Sequence, residues 1–309
     1  MKKYLKIFLK ILVSLFFLWL VVYKTDWPEV MFYLKKIEIW QIILYVVVLL
    51  LGILISAYKW KKLAEFKEIN SSLWDFFKLY LVGTFINNFM PSFIAGDAFK
   101  AYAIAGKEKK YNEAVSTVMM DRITGLIGIM ILSLMCSILN FKMVLGNGIL
   151  ITINILIILS LFADIIIAEL KKITFLKNWV SRVMPKRVID FLRELYSYNN
   201  NSEIIKKTIF LSLVFSLVGV AFLNYILFWG LGIEIGFLDY LSVIFIISII
   251  SSLPISINNI GLKEWAYITF FGLFGVTSGA VVAVSVISRF LQMAVSFFAL
   301  PAYLKAKKK

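Results

Sequence analysis

Two acids and two arginines recur at one interval: Arg122 follows Asp97 by 25 residues, and Arg289 follows Glu264 by 25 residues. Each acid lies in an apolar stretch interrupted by residues that break helices. Gly83, Asn87, Asn88, Pro91 and Gly96 lead to Asp97, and Pro254, Asn258, Asn259 and Gly261 lead to Glu264. Each arginine lies in the next long apolar run. Arginine presents a rigid fork of donors that suits phosphate, and Lys100 adds a second cation beside Asp97. Asp97, Asp121 and Glu264 can pair with such cations, bind an amine or carry a proton. At a helix centre in a membrane each charge costs about 2.5–3.5 kcal/mol, so Asp121, Arg122, Glu264 and Arg289 unpaired cost on the order of 10–14 kcal/mol. They are kept because they pair or because they bind something. The pairs expected are Asp97 or Asp121 with Arg289, and Glu264 with Arg122. A polar helix-packing seam with internal salt bridges is the plainer alternative.

The elements that position these residues are membrane helices. The 309-residue chain is 61% hydrophobic, more than the surface of a soluble globule tolerates, and carries +15 from 33 Lys+Arg against 18 Asp+Glu. It contains no His and one cysteine, Cys136, which removes His-based acid–base chemistry, His-ligated metals, Cys clusters and internal disulfides. It also lacks a GxxxxGK[ST] loop for phosphate. No metal and no cofactor is expected. The charge is spread along membrane-flanking segments, which argues against nucleic acid.

Six stretches meet the length of about 20 apolar residues that a span requires: 5–23, 39–57, 114–139, 148–168, 207–231 and 280–304. The first ends in Tyr-Lys-Thr-Asp-Trp-Pro rather than small residues, so it is read as a retained helix and not a signal peptide. Of the 33 basic residues, 26 fall in one alternating set of segments, while the opposite loops hold only Lys24, Lys35, Lys36 and Lys142. By the positive-inside rule both termini are cytoplasmic. Lys59 and Lys100 are counted in that cytoplasmic set. Trp19, Trp27, Trp40 and Trp60 near span ends suit an interfacial belt.

Both flanks of 79–99 are basic, so that segment must enter and leave on the cytoplasmic side. Only Lys263 falls between residues 232 and 280, so 238–275 should enter and leave on the other side. Interrupted helices at membrane depth survive where they are buried in protein or line a cavity. The expected fold class is therefore an all-α polytopic membrane protein. It has six full spans plus two opposed re-entrant helical hairpins, an inverted repeat, with eight plain spans as the alternative. A single transmembrane domain comprises a first half of about 1–139 with hairpin 79–99, and a second half of about 148–304 with hairpin 238–275. Paired broken helices in matching positions point to a transporter site between the halves.

The polar neighbours fit that plan. Ser285, Ser288, Arg289, Gln292 and Ser296 form one helical face, and Thr117, Asp121, Thr124, Gly125 and Gly128 form another with small residues for close packing. Between the halves, 169–206 is a basic cytoplasmic loop. Phe175, Leu176, Trp179, Val180 and Val183 recur there at helical spacing among Lys and Arg, which suits anionic lipid headgroups; a merely solvated loop is the alternative.

Three segments, GTFINNFMPSFIAGDAFKAY, STVMMDRITGLIGI and LPISINNIGLKEWAYI, together resemble the lysylphosphatidylglycerol synthase transmembrane family, also called flippase-like. Asn87 or Asn88, Pro91, Gly96, Asp97 and Lys100 match the family's first motif. Asp121, Arg122 and Gly125 match its second, and Pro254, Ser256, Gly261 and Glu264 its third. Ala95 replaces one glycine of a Gly-Gly-Asp, and Asn258-Asn259 stands where one glycine is usual. The chain ends at Lys309 without the aminoacyl-transferase domain of complete synthases. The resemblance implies the membrane half alone, which translocates a charged phospholipid or a polyprenyl-phosphate-linked lipid in the cell membrane.

On this expectation the substrate-binding residues are Asn87, Asn88, Asp97, Lys100, Asp121, Arg122, Asn258, Asn259, Glu264 and Arg289. Two other classes stand beside it. One is a non-transporting anchor for a cytosolic lipid-modifying enzyme or glycosyltransferase. The other is an integral-membrane headgroup transferase using Asp97 and Lys100 or Glu264. Co-purification with a cytosolic enzyme marks the first, and covalently altered lipid marks the second.

Overall fold

A computed structural model describes residues 2–89, 94–106, 110–170, 191, 193–253 and 255–301, and among them regular structure is entirely helical. Helix α1 (Lys2–Lys24) stops at Thr25-Asp26, and α2 (Trp27–Leu34) leaves it at 86°. The bend has a local cause. Asp26 caps α2 by accepting the Glu29 N–H at 3.3 Å, and Pro28 fills its first turn. Next come α3 (Ile39–Phe66), α4 (Leu73–Phe89), α5 (Ile94–Ala105), α6 (Tyr111–Leu139), the short α7 (Phe141–Leu145) and α8 (Gly148–Leu170). The last four are α9 (Ser202–Gly230), α10 (Phe237–Ser252), α11 (Leu262–Gly272) and α12 (Ser278–Ser296).

Among the described residues, four helices are long and apolar enough to cross a membrane: α3, α6, α9, and α12 with its continuation to Ala299. A fifth is counted if the bent pair α1–α2 is one span. Large apolar side chains point outward, as in Phe16, Ile43, Leu156 and Phe290, while Ser, Thr, Lys and Asp are buried. Lipid permits that outward apolar surface, because tails accept it, and requires buried polar groups to find partners inside.

The interior holds two main cores. One gathers α9, α10, α11 and α12 around Phe228, Tyr240, Phe245, Tyr267 and Phe271. The other packs Trp60, Phe76, Val82, Ala101 and Ile104 from α3, α4 and α5. Between them the stripe on α6 behaves as its spacing predicts: Thr117, Asp121, Thr124 and Gly128 are buried, with Gly128 against Ser212 of α9. Midway along α9 the backbone opens into a π-helical segment, Ser216–Phe222, whose Gly219 touches Gly52 of α3. Such segments mark functional sites more often than ordinary helix does.

Each interrupted region is a pair of helices. α4 and α5 lie side by side with Gly83 against Gly96, and between α10 and α11 lies a short 3₁₀ turn, Ile257–Asn259. Pro91, Pro254 and the Phe175–Val183 segment lie outside the described residues. Of the tryptophans expected at span ends, Trp19, Trp27 and Trp40 are exposed. Trp60 is a correction: it is fully buried, and its indole N–H donates to Thr117 Oγ1 at 2.9 Å. Its polar edge is satisfied by α6 rather than by the interface.

Candidate functional site

The second break is built on left-handed backbone. Asn258 and Asn259 have φ of 52° and 56°, and Gly261 has φ of 79°. Asparagine tolerates that region better than other side chains, so a pair of asparagines serves where glycine is usual. Gly261 has a second constraint, since a Cβ there would meet the backbone of Leu18 and the side chain of Phe17 on α1. Gly261→Ala should therefore destabilise the purified protein by at least about 1–2 kcal/mol, read as a lower thermal midpoint in detergent; an unchanged midpoint would show that α1 does not seat there.

The turn sets Glu264 in the first turn of α11. Its Oε2 accepts the Gly261 N–H at 2.8 Å, and its Oε1 accepts the Ser285 hydroxyl and Arg289 Nη2, both at 2.9 Å. Ser285 and Arg289 are one helical turn apart on α12, so both reach the same oxygen. Arg289 Nη1 also donates to the Asn258 carbonyl at 3.2 Å. The arginine thus ties the carboxylate and the turn before it into one unit.

The first break repeats the theme with other details. Asn87 Oδ1 accepts the Gly96 N–H at 2.8 Å, bridging α4 to α5. A Cβ on Gly96 would overlap the Gly83 carbonyl, so the two helices touch only because that position is glycine. Asp97, in the first turn of α5, pairs with Lys100 at 2.9 Å and with Arg122 of α6. The neighbouring Asp121 turns the other way. It pairs with Lys59 of α3 at 3.0 Å and accepts the Tyr80 hydroxyl, while Lys59 also donates to the Asp121 carbonyl at 2.8 Å and to Ser212 Oγ at 3.1 Å. Lys100 bridges the two groups, lying 4.1 Å above the Tyr80 ring.

Both acid–arginine pairs therefore join residues 25 apart, and the exchange of partners expected between the halves does not occur. Asp97 meets Arg122, and Glu264 meets Arg289. A helix start and the next long helix can satisfy each other locally, and that geometry arises twice. Two further corrections concern lysines taken as cytoplasmic flanks. Lys59 and Lys100 are buried in these ion pairs. For Lys59 the signal was present: Gly52, Ser56, Lys59 and Leu63 follow at three- and four-residue steps, which puts the lysine on the inward face of α3.

The breaks meet. Asn258 Nδ2 donates to the Asn88 carbonyl at 3.2 Å, and Asn88 Nδ2 donates to Ser296 Oγ at 2.9 Å. At that contact lies a cavity of about 350 Å³ walled by Asn88, Asn258, Asn259, Lys263, Arg289 and Gln292, among others. A smaller cavity of about 220 Å³ shares Gly219 and Gln292 with it and extends to Tyr80 and Thr84 beside the first break. Of the ten expected site residues, Asn88, Asn258, Asn259 and Arg289 line the larger cavity, Glu264 lies just behind it, and Asn87, Asp97, Lys100, Asp121 and Arg122 form the ionic group of the first break. Lys263, Tyr80, Asn224 and Lys59 were not expected. Tyr267 donates to Asn224 Oδ1 at 3.0 Å, which orients one wall of the cavity.

A cavity of about 350 Å³ falls at the lower end of the range for small-molecule sites. The chain matches the family described as the lysylphosphatidylglycerol synthase TM region over residues 7–299. A comparison with curated proteins gave no match. The matched span, the apolar helices and the paired breaks agree in making this a multi-pass membrane protein with a role connected to membrane lipid, and the chain belongs to the lysylphosphatidylglycerol synthase transmembrane-region family.

Proposed function

We propose that the protein translocates a charged lipid, a phospholipid or a polyprenyl-phosphate-linked lipid, between the leaflets of the cell membrane. The observation that carries this reading is the double acid–arginine arrangement at two helix breaks that meet at a polar cavity. A phosphate entering there competes with Glu264 for Arg289 and, farther on, with Asp97 for Arg122 and Lys100. Each cation then trades one anionic partner for another, so the headgroup is never left in a low-dielectric interior without compensation. The acyl chains remain among the outward apolar side chains.

In this account α4–α5 and α10–α11 are re-entrant hairpins entering from opposite faces, six helices span fully, and both termini are cytoplasmic. The two halves form an inverted repeat whose rocking exposes the cavity to each leaflet in turn. Topology is checked on a Cys136→Ser background by labelling single cysteines at exposed positions. Ser72→Cys and Gly106→Cys should react only from the cytoplasmic side, and Glu234→Cys and Gly272→Cys only from outside. A member of either pair reacting from the opposite face would replace that hairpin with a crossing. Transport itself is tested with fluorescent lipid in proteoliposomes: the protein should carry label from the inner to the outer leaflet, and movement no faster than in protein-free vesicles would remove the proposal.

A further inference from the structure

The cavity between the breaks is walled by charge of one sign. Lys263 and Arg289 line it, and among the described residues no carboxylate does. Glu264 sits behind the wall, and its charge answers that of Arg289 at 2.9 Å. Lys263 shares that one carboxylate at longer range. Its ammonium donates to Ser288 Oγ at 3.2 Å and stands 5.3 Å from the Tyr267 ring centroid, with no carboxylate in ion-pair range among the described residues. It lies in the first turn of α11, where the helix dipole adds further positive field. Ser251, also in the wall, has a buried hydroxyl without a hydrogen-bond partner. An ammonium with no carboxylate in ion-pair range at membrane depth costs stability.

We propose that this cavity is an anion site for the phosphate of a headgroup whose net charge is negative, with Lys263 supplying the binding charge. The assignment to a lipid rests on the translocase reading; the phosphate chemistry does not. A headgroup carrying extra amines would add positive charge where cations are already in excess, so net-cationic lipids are disfavoured.

The test is equilibrium binding to the purified full chain in dodecyl maltoside. The probes are dioctanoyl phosphatidic acid, dioctanoyl phosphatidylglycerol, dioctanoyl phosphatidylcholine, dioctanoylglycerol and inorganic phosphate. The two anionic lipids should bind saturably and the other two lipids at least about tenfold more weakly. Lys263→Gln should weaken anionic-lipid binding by about tenfold or more, and Lys263→Arg should hold it within about threefold. Without lipid, Lys263→Gln should keep or raise the thermal midpoint, because it removes a charge with no carboxylate in ion-pair range; a packing residue would lower it. Competition by inorganic phosphate would place the specificity in the phosphate alone, and its failure to compete would place it in the lipid headgroup. Equal binding of the zwitterionic and anionic lipids, or full affinity in Lys263→Gln, would overturn the site. Translocation read on the same preparations separates the two claims. Binding without movement leaves the anion site without a translocase, and movement untouched by Lys263→Gln with unchanged binding leaves a translocase without this site.

Discussion

Asp121→Ala should destabilise the protein more than any other single change at the site, by about 3–5 kcal/mol. The carboxylate is almost fully buried, and its removal leaves the Lys59 ammonium, 3% exposed, with only the Asp121 carbonyl and Ser212 Oγ as partners. It also removes the acceptor of the Tyr80 hydroxyl. Lys59, Tyr80, Asp121 and Ser212 lie on α3, α4, α6 and α9, so one lost group loosens four helices at once. The double variant Lys59→Met with Asp121→Leu should recover most of the loss, because well-packed apolar side chains replace a buried pair at little or no cost. Thermal midpoints measured by size-exclusion chromatography in detergent decide it. An Asp121→Ala protein as stable as the parent would mean that the pair is not buried in the working protein. We further expect the double variant to keep at least about a tenth of parental translocation, since the pair braces the helices from outside the larger cavity.

Glu264 and Arg289 should behave differently, because Arg289 lines the cavity and Glu264 holds it from behind the wall. Glu264→Gln keeps an oxygen for the Gly261 N–H, and Arg289, 29% exposed in its side chain, retains the Asn258 carbonyl. The variant should fold, with translocation lowered by about a hundredfold or more, the effect of losing charge-assisted contacts worth about 1.5–3 kcal/mol each. Arg289→Ala should abolish movement and also lower stability, because the Glu264 carboxylate, 11% exposed, is left with neutral donors alone. Exchanging the pair, Glu264→Arg with Arg289→Glu, should not rescue transport. The Gly261 N–H is a donor that faces position 264, and the Asn258 carbonyl is an acceptor that faces position 289, so each swapped group meets the wrong polarity. Recovery in the swap would show that only the sum of charge matters there.

Much of this arrangement was legible in the sequence. Apolar run length located α3, α6, α8, α9 and α12, and the Asn, Pro and Gly interruptions marked both breaks. The polar stripes on α6 and α12 followed from helical spacing, whereas the ion pairs expected crossed between the halves and the observed ones stay within them. What was missed depends on rotation and reach. Lys59 stands beside Lys61 and Lys62 in a run typical of a cytoplasmic flank, yet one helical step turns it inward while its neighbours pair with Glu65. Trp60 turns inward with it. The partner of each acid was equally hidden, since pairing depends on which long helix passes the start of α5 or α11. Composition and spacing are blind to that distance.

Fluorescently labelled phosphatidylglycerol in proteoliposomes tests the central claim most directly. Quenching by dithionite is followed for the parent, for Lys59→Met with Asp121→Leu, and for Glu264→Gln at equal protein content. The quenched fraction should rise beyond the outer-leaflet half with the parent, rise more slowly but measurably with the double variant, and stay at the protein-free level with Glu264→Gln. Equal movement with the parent and Glu264→Gln would contradict the claim, for the headgroup would then be crossing without the carboxylate that holds the second break.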